Sequence, residues 1–215
     1  MMQAVLFDMD GTITDTEKIY QHFWFQCAQD LGYSEFSKED CLDLRSLNNQ
    51  DAAQMLLQRF RGRIDYETLH QNVSDTVAHY LDTHDIPLKP GAFEVLEELH
   101  RLGIPAAVVT AGRLEPARER LGRAGLLDSF DDVISAHDMP KGKPYPDPYL
   151  HACKELGVAP EDTIAVEDSP NGVKSAAAAG CNVIMVPDLT EPDEELSKLL
   201  FARVDDLTGI IPYVK

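Results

Sequence analysis

The chain has 215 residues, of which 44% are hydrophobic and 26% charged. That is a soluble globular composition with room for one sizeable core, or for a core carrying a smaller lobe. Lys and Arg number 19 against 37 Asp and Glu, a formal charge of −18, and so acidic a surface repels nucleic acid and anionic headgroups, which excludes both as expected partners.

The first apolar stretch, Ala4–Phe7, reads as a short β-strand. Asp8 and Asp10 interrupt it before it reaches the length of a secretory signal, and no later stretch approaches the roughly 20 residues of a membrane span. The chain is therefore expected to stay in the cytoplasm. The strand breaks into Asp8-Met9-Asp10-Gly11-Thr12. Residues two apart in an extended segment point the same way, and two carboxylates so placed repel unless a cation or proton lies between them. Asp10-Gly11 would equally suit a plain turn. A helix–loop–helix calcium site is excluded, because the glycine falls two places early at Gly11 and the twelfth position is Ile19 instead of Glu.

From Thr16 to His84 the pattern changes to helical periodicity, as in Phe23, Cys27, Leu31 and again in Met55, Leu56, Phe60, with no convincing strand. Residues 16–84 are therefore predicted to form a helical lid inserted into an α/β core made of 1–15 and 85–215, with hinges near Asp15 and Pro87. Phe23, Trp24 and Phe25 are expected in the lid's core, while Tyr20 and His22 are candidates to face a substrate.

Beyond the lid, strands are predicted at Ala106–Thr110, Val133–Ser135, Thr163–Glu167 and Asn182–Val186, with helices between them such as Ala92–Leu102 and Asn171–Ala179, the latter capped by Asn171. These strands are apolar nearly throughout, so both faces of the sheet should be covered. The fold class is α/β, a doubly wound parallel sheet with a Rossmann-like core and an inserted helical cap.

Chemistry-bearing residues gather at the predicted strand ends. Thr110-Ala111-Gly112 offers a hydroxyl and exposed N–H groups to an anion. Lys141-Gly142-Lys143-Pro144 presents lysine on a proline-stiffened loop. Glu167-Asp168 is a second carboxylate pair, and oxygen ligands from two strand ends with no Cys or His beside them suit magnesium better than zinc. Cys27, Cys41, Cys153 and Cys181 show no metal spacing and are expected to be reduced and mostly buried. The seven histidines show none either. Arg45, Arg113 and Lys141 could meet a second anionic group on a substrate, although solvated surface is the default for each.

Taken in order, Asp8-x-Asp10-Gly11-Thr12, Thr110, Gly142-Lys143-Pro144 and Glu167-Asp168-Ser169 resemble the four-motif signature of the haloacid dehalogenase superfamily. The inserted helices resemble the cap of the subgroup that contains β-phosphoglucomutase and many metabolite phosphatases. The resemblance implies Asp8 as nucleophile and Asp10 as general acid and base. It also implies Thr110, the Ala111 N–H and Lys143 as phosphate ligands, and Mg2+ held by Asp8, Asp168 and the backbone carbonyl of Asp10, with Glu167 behind them. Dehalogenases and phosphonate-cleaving members lack an Asp at the place of Asp10, so phosphate-ester chemistry remains.

The expected activity is magnesium-dependent hydrolysis of a small phosphorylated metabolite through an aspartyl-phosphate, by a monomer or weak homo-oligomer. One rival is a phosphosugar mutase, whose lid arginine is matched here only by the asparagines of Leu47-Asn48-Asn49-Gln50. The other is a phospho-accepting signalling domain, disfavoured because such receivers place their acceptor after the third strand.

Overall fold

The computed structural model describes residues 2–137 and 139–215. Six parallel strands form one sheet in the order β3-β2-β1-β4-β5-β6. They are β1 (Ala4–Phe7), β2 (Ala106–Thr110), β3 (Asp132–Ser135), β4 (Thr163–Glu167), β5 (Asn182–Met185) and β6 (Ala202–Arg203). The strand order reverses at β1, which pairs with β2 on one side and β4 on the other. A crevice opens at the carboxyl ends of the strands at such a switch point.

Every residue of β1, β2 and β4 is buried, and alternate side chains feed two apolar clusters. Val5, Phe7, Val108, Ile164 and Val166 face one, where Val95, Leu96 and Leu99 of the helix Ala92–Leu102 complete it. Leu6, Ala107, Val109 and Ala165 face the other, under the helices Asp147–Leu156 and Pro170–Ala179. The sheet is thus covered on both faces, the requirement of its continuous apolar strands.

The predicted strands hold to within a residue, but two local readings change. β6 has only two residues, pairing with β5, too short to carry a period. The helix after β4 is capped by Ser169, whose hydroxyl accepts the Gly172 N–H, with Pro170 in the first turn. Asn171 is already inside the helix, and its amide donates to the Arg45 carbonyl. A serine followed by proline is the better start signal, since proline's missing N–H costs nothing there.

Between β1 and the helix Ala92–Leu102 lie four helices, α1 (Glu17–Asp30), α2 (Lys38–Leu44), α3 (Asn49–Phe60) and α4 (Tyr66–Thr83). They pack around an apolar cluster of their own that includes Cys27, Phe36, Leu56, Phe60, Leu69 and Val73. Ser37 and Asp40 form a reciprocal capping box at the start of α2. The two chain segments leading in and out run side by side, the Asp15 N–H donating to Pro87 O at 2.8 Å and the Lys89 N–H to Ile13 O at 2.9 Å. No described helix is long and apolar enough to cross a membrane, and all four cysteines are buried and free.

Candidate active site

At the carboxyl end of β1 the backbone does not stay extended. The Met9 carbonyl accepts the N–H groups of Ile13 and Thr14, both at 2.9 Å, closing a tight loop. Gly11 makes this loop possible, because its φ is +93° and a Cβ there would lie 2.5 Å from Asp168 Oδ2. As a result the Asp8 and Asp10 carboxylates part company. Asp8 turns into the core, where it meets Glu167 and Asp168 from the end of β4, and ligand oxygens of these three buried residues lie within 4.8 Å of one another. Asp10 turns away from that cluster, its Oδ1 accepting from Thr16 Oγ1, where the chain enters the helical lobe, at 2.6 Å and from Arg120 Nη1 at 3.3 Å. The side-chain repulsion expected within the Asp8–Asp10 pair is realised between Asp8 and the β4 pair instead.

Lys143 answers that repulsion. Its Nζ donates to Asp8 Oδ1 and Glu167 Oε1, each at 2.6 Å, and to Val109 O at 3.0 Å, with the whole residue buried. All three ammonium protons are used. Glu167 also accepts the Tyr149 hydroxyl at 2.5 Å. It can sit over the start of the next helix because position 172 is glycine, where a Cβ would fall about 2.0 Å from its carboxyl group.

The charges respond to burial and to one another. Burial pushes the Asp8 carboxyl well up, against the pull of Lys143. Burial and then the Glu167 charge push Asp168 up to about 7, opposed by Arg45. Burial would lower Lys143, but the carboxylates of Asp8 and Glu167 hold it above the ordinary lysine range. Carboxylates outnumber cations at this end of the sheet, since Glu17 is also buried here and is raised by burial and by Asp168. An all-oxygen cluster short of positive charge fits a hard divalent cation.

Thr110 ends β2, buried, its hydroxyl accepting the Gly112 N–H at 3.0 Å. With Ala111 it lines a cavity of about 320 Å³ between sheet end and helical lobe, which also touches Asp8, Asp10, Tyr20 and Asn49. His70, His137 and Arg113 line it as well, so two histidines without metal spacing still reach the site. His22 is exposed and does not. Of the other cations, Lys141 is exposed with its ammonium over the Tyr145 ring, and Arg113 is exposed.

Arg45 is a correction. Instead of solvated surface it is buried, its Nη1 donating to Asp168 Oδ2 at 3.1 Å and its Nη2 to Thr190 Oγ1. It leaves α2 at its C-terminal end, and Ser46 beside it hydrogen-bonds Ser169 across the cleft at 3.0 Å. Sequence reasoning also left out Glu17, Arg120 and Tyr149. Glu17 and Arg120 sit on helix faces that carry no strand-end signal. Tyr149, in the first turn of the helix Asp147–Leu156, is indistinguishable from an ordinary core aromatic.

Comparison with known proteins gives the family. The profile of haloacid dehalogenase-like hydrolases matches residues 5–186. Hexitol phosphatase A of Escherichia coli (strain K12) is 34% identical over 203 residues, covering 92% of this chain and 91% of the relative. Validoxylamine A 7'-phosphate phosphatase of Streptomyces hygroscopicus subsp. limoneus is 30% identical over 213 residues, covering 98% and 96%. A crystal structure of a CbbY variant from Rhodobacter sphaeroides in complex with xylulose-(1,5)bisphosphate superposes with a TM-score of 0.78 at 29% identity, covering 96% of this chain and 95% of that one. The chain belongs to the haloacid dehalogenase-like hydrolase family, as one of its phosphatases.

Proposed function

We propose that the protein hydrolyses a small phosphorylated metabolite, a sugar phosphate or similar phosphomonoester, through an aspartyl-phosphate on Asp8, with Mg2+ as cofactor. The observation that carries this reading is the Asp8 carboxylate, which lines the cavity and is held 2.6 Å from Lys143 Nζ, beside the buried carboxylates of Glu167 and Asp168. Carboxylates of Asp8 and Asp168 and the carbonyl of Asp10 would hold the ion. When bound, it would offset the negative charge that keeps an anionic nucleophile from a phosphoryl group.

In the first half, an Asp8 oxygen attacks phosphorus in line as the bond to the ester oxygen breaks, and Asp10 gives that leaving oxygen a proton. In the second, Asp10 takes a proton from a water that attacks phosphorus, the bond to Asp8 breaks, and the carboxylate is restored. Lys143 stays paired with Asp8 and Glu167 and would turn the proton now given to the Val109 carbonyl toward a phosphoryl oxygen, to which the Thr110 hydroxyl and the Ala111 N–H would also donate. Residues 16–84 act as a lid over the core formed by 1–15 and 85–215, admitting a small ester and limiting stray water. The free, buried cysteines support a reducing, cytoplasmic setting.

A panel of phosphorylated metabolites, assayed for phosphate release by the purified protein with magnesium, tests this reading. Release from one or more small sugar or polyol phosphates is expected. Activity confined to folded phosphoproteins, or phosphoryl return to a second sugar hydroxyl without release, would overturn it.

A further inference from the structure

Asp10 is held directly by two side chains, Thr16 and Arg120, and through Arg120 by a third, Tyr20. Thr16 lies where the chain enters the helical lobe, and its hydroxyl donates to Asp10 Oδ1 at 2.6 Å. Arg120 lies on the core helix Leu114–Arg123 that follows β2. Its Nη1 donates both to the same Oδ1, at 3.3 Å, and to the hydroxyl of Tyr20, at 2.9 Å. Tyr20 belongs to α1 and so to the lobe. The arginine side chain is 17% exposed and Asp10's is 19%, so this ion pair is largely withdrawn from water, where such a pair holds its geometry better than at the surface. One guanidinium therefore ties the proposed acid–base carboxylate to the lobe that must move.

We infer that Arg120 is a positioning residue for Asp10: with Thr16 it fixes Oδ1, leaves Oδ2 to carry the proton, and through Tyr20 sets that orientation according to where the lobe lies. This rests on the proposed reaction. Two protons pass through Asp10 per cycle, one out to the leaving oxygen and one back from water, so a carboxylate free to turn would fail at both steps. With an ester whose leaving group departs without help, only the second step needs it. Loss of Arg120 should then slow breakdown of the aspartyl-phosphate more than its formation. Replacement by lysine returns the charge on a shorter, flexible stem without the planar guanidinium that aims Nη1 at both Asp10 and Tyr20, and so restores the function in part.

The test uses the full chain with magnesium and 4-nitrophenyl phosphate, following both turnover and the fraction of enzyme carrying phosphate on Asp8 at steady state. For Arg120→Met, kcat is expected to fall about 10- to 100-fold, less than the full range of roughly 10²–10⁴ that acid–base help supplies because Asp10 itself remains, with KM changed less than about threefold. The phosphorylated fraction should rise above that of the unaltered protein, and Arg120→Lys should lie between the two. A merely structural role lowers turnover and phosphorylated fraction together, and that result overturns the inference. So does a rise in KM with kcat kept, which would make Arg120 a substrate contact. If Arg120→Met does not fold, the same comparison is read from Arg120→Lys alone. If the unaltered protein never carries phosphate on Asp8 while still releasing it, the proposed reaction fails and not the placement of Arg120.

Discussion

The sheet end and the helical lobe meet the same cavity but are built on different terms. At the sheet end, buried charges are locked by one another: Lys143 spends its three protons on Asp8, Glu167 and Val109, and Glu167 is held again by Tyr149. The lobe has its own apolar cluster and reaches the site through single side chains, Arg45 to Asp168 and Tyr20 to Arg120. Charges thus lock one another on the sheet, and the lobe adds one arginine and one tyrosine to them. Under the proposed reaction, that division would keep the Asp8 carboxylate fixed while the lobe opens for substrate.

The largest effect should come from the fixed side. Asp8→Asn replaces the nucleophile with an amide and removes a metal ligand, so turnover should fall by about 10⁴-fold or more, as for other nucleophile losses. Steady-state assays check this, and residual activity within tenfold of the unaltered protein would remove Asp8 from the reaction. Nearly as large an effect should follow from stripping divalent metal. EDTA-treated protein should be inactive until magnesium returns, and calcium should not substitute, because its looser coordination disturbs in-line geometry. Full turnover in calcium alone would contradict the compact octahedral magnesium geometry proposed for the site.

On the lobe side the expected loss is of stability. Leu69 is fully buried in the lobe's cluster, and Leu69→Ala should cost about 2–5 kcal/mol by leaving a cavity. Well below the melting transition the variant should keep kcat on small aryl phosphates. A proportionate collapse of kcat at low temperature would show that the lobe's packing also sets the chemistry of the sheet end.

A smaller effect concerns pH. With Asp168 pushed up to about 7 from an unfolded value of about 3.9, the metal-free folded chain binds more protons than the unfolded one between those limits. Its stability should therefore fall as pH rises from about 4 toward about 7, and the gain from added magnesium should grow over the same interval. Thermal melts with and without magnesium would show it. Metal-free stability that rises steadily across that window would contradict a raised Asp168 that dominates the lowered carboxylates such as Asp40.

The same contrast explains what could be read from the sequence. Strand ends advertise themselves, because an apolar run stopped by Asp8, Thr110 or Glu167-Asp168 is a local pattern, and the sheet that unites them follows from alternation with helices. The turn of Asp10 away from Asp8 was not legible, since it depends on backbone hydrogen bonds to one carbonyl, that of Met9. Arg45, Glu17 and Arg120 were hidden for another reason. On a helix or at its end a charged residue reads as solvated, and only the meeting of lobe and core buries it. β6 was missed because two residues carry no period, and the cap at Ser169 because Asn171 also fits a helix start.

The central claim is covalent chemistry at Asp8, and trapping the intermediate tests it most directly. Protein quenched in acid during turnover of a good phosphate ester, then digested and mapped by mass spectrometry, should carry a phosphoryl group on the peptide that contains Asp8, and hydroxylamine should remove it. Phosphate found on another residue, or no phosphorylated peptide at any time during active turnover, would contradict the account.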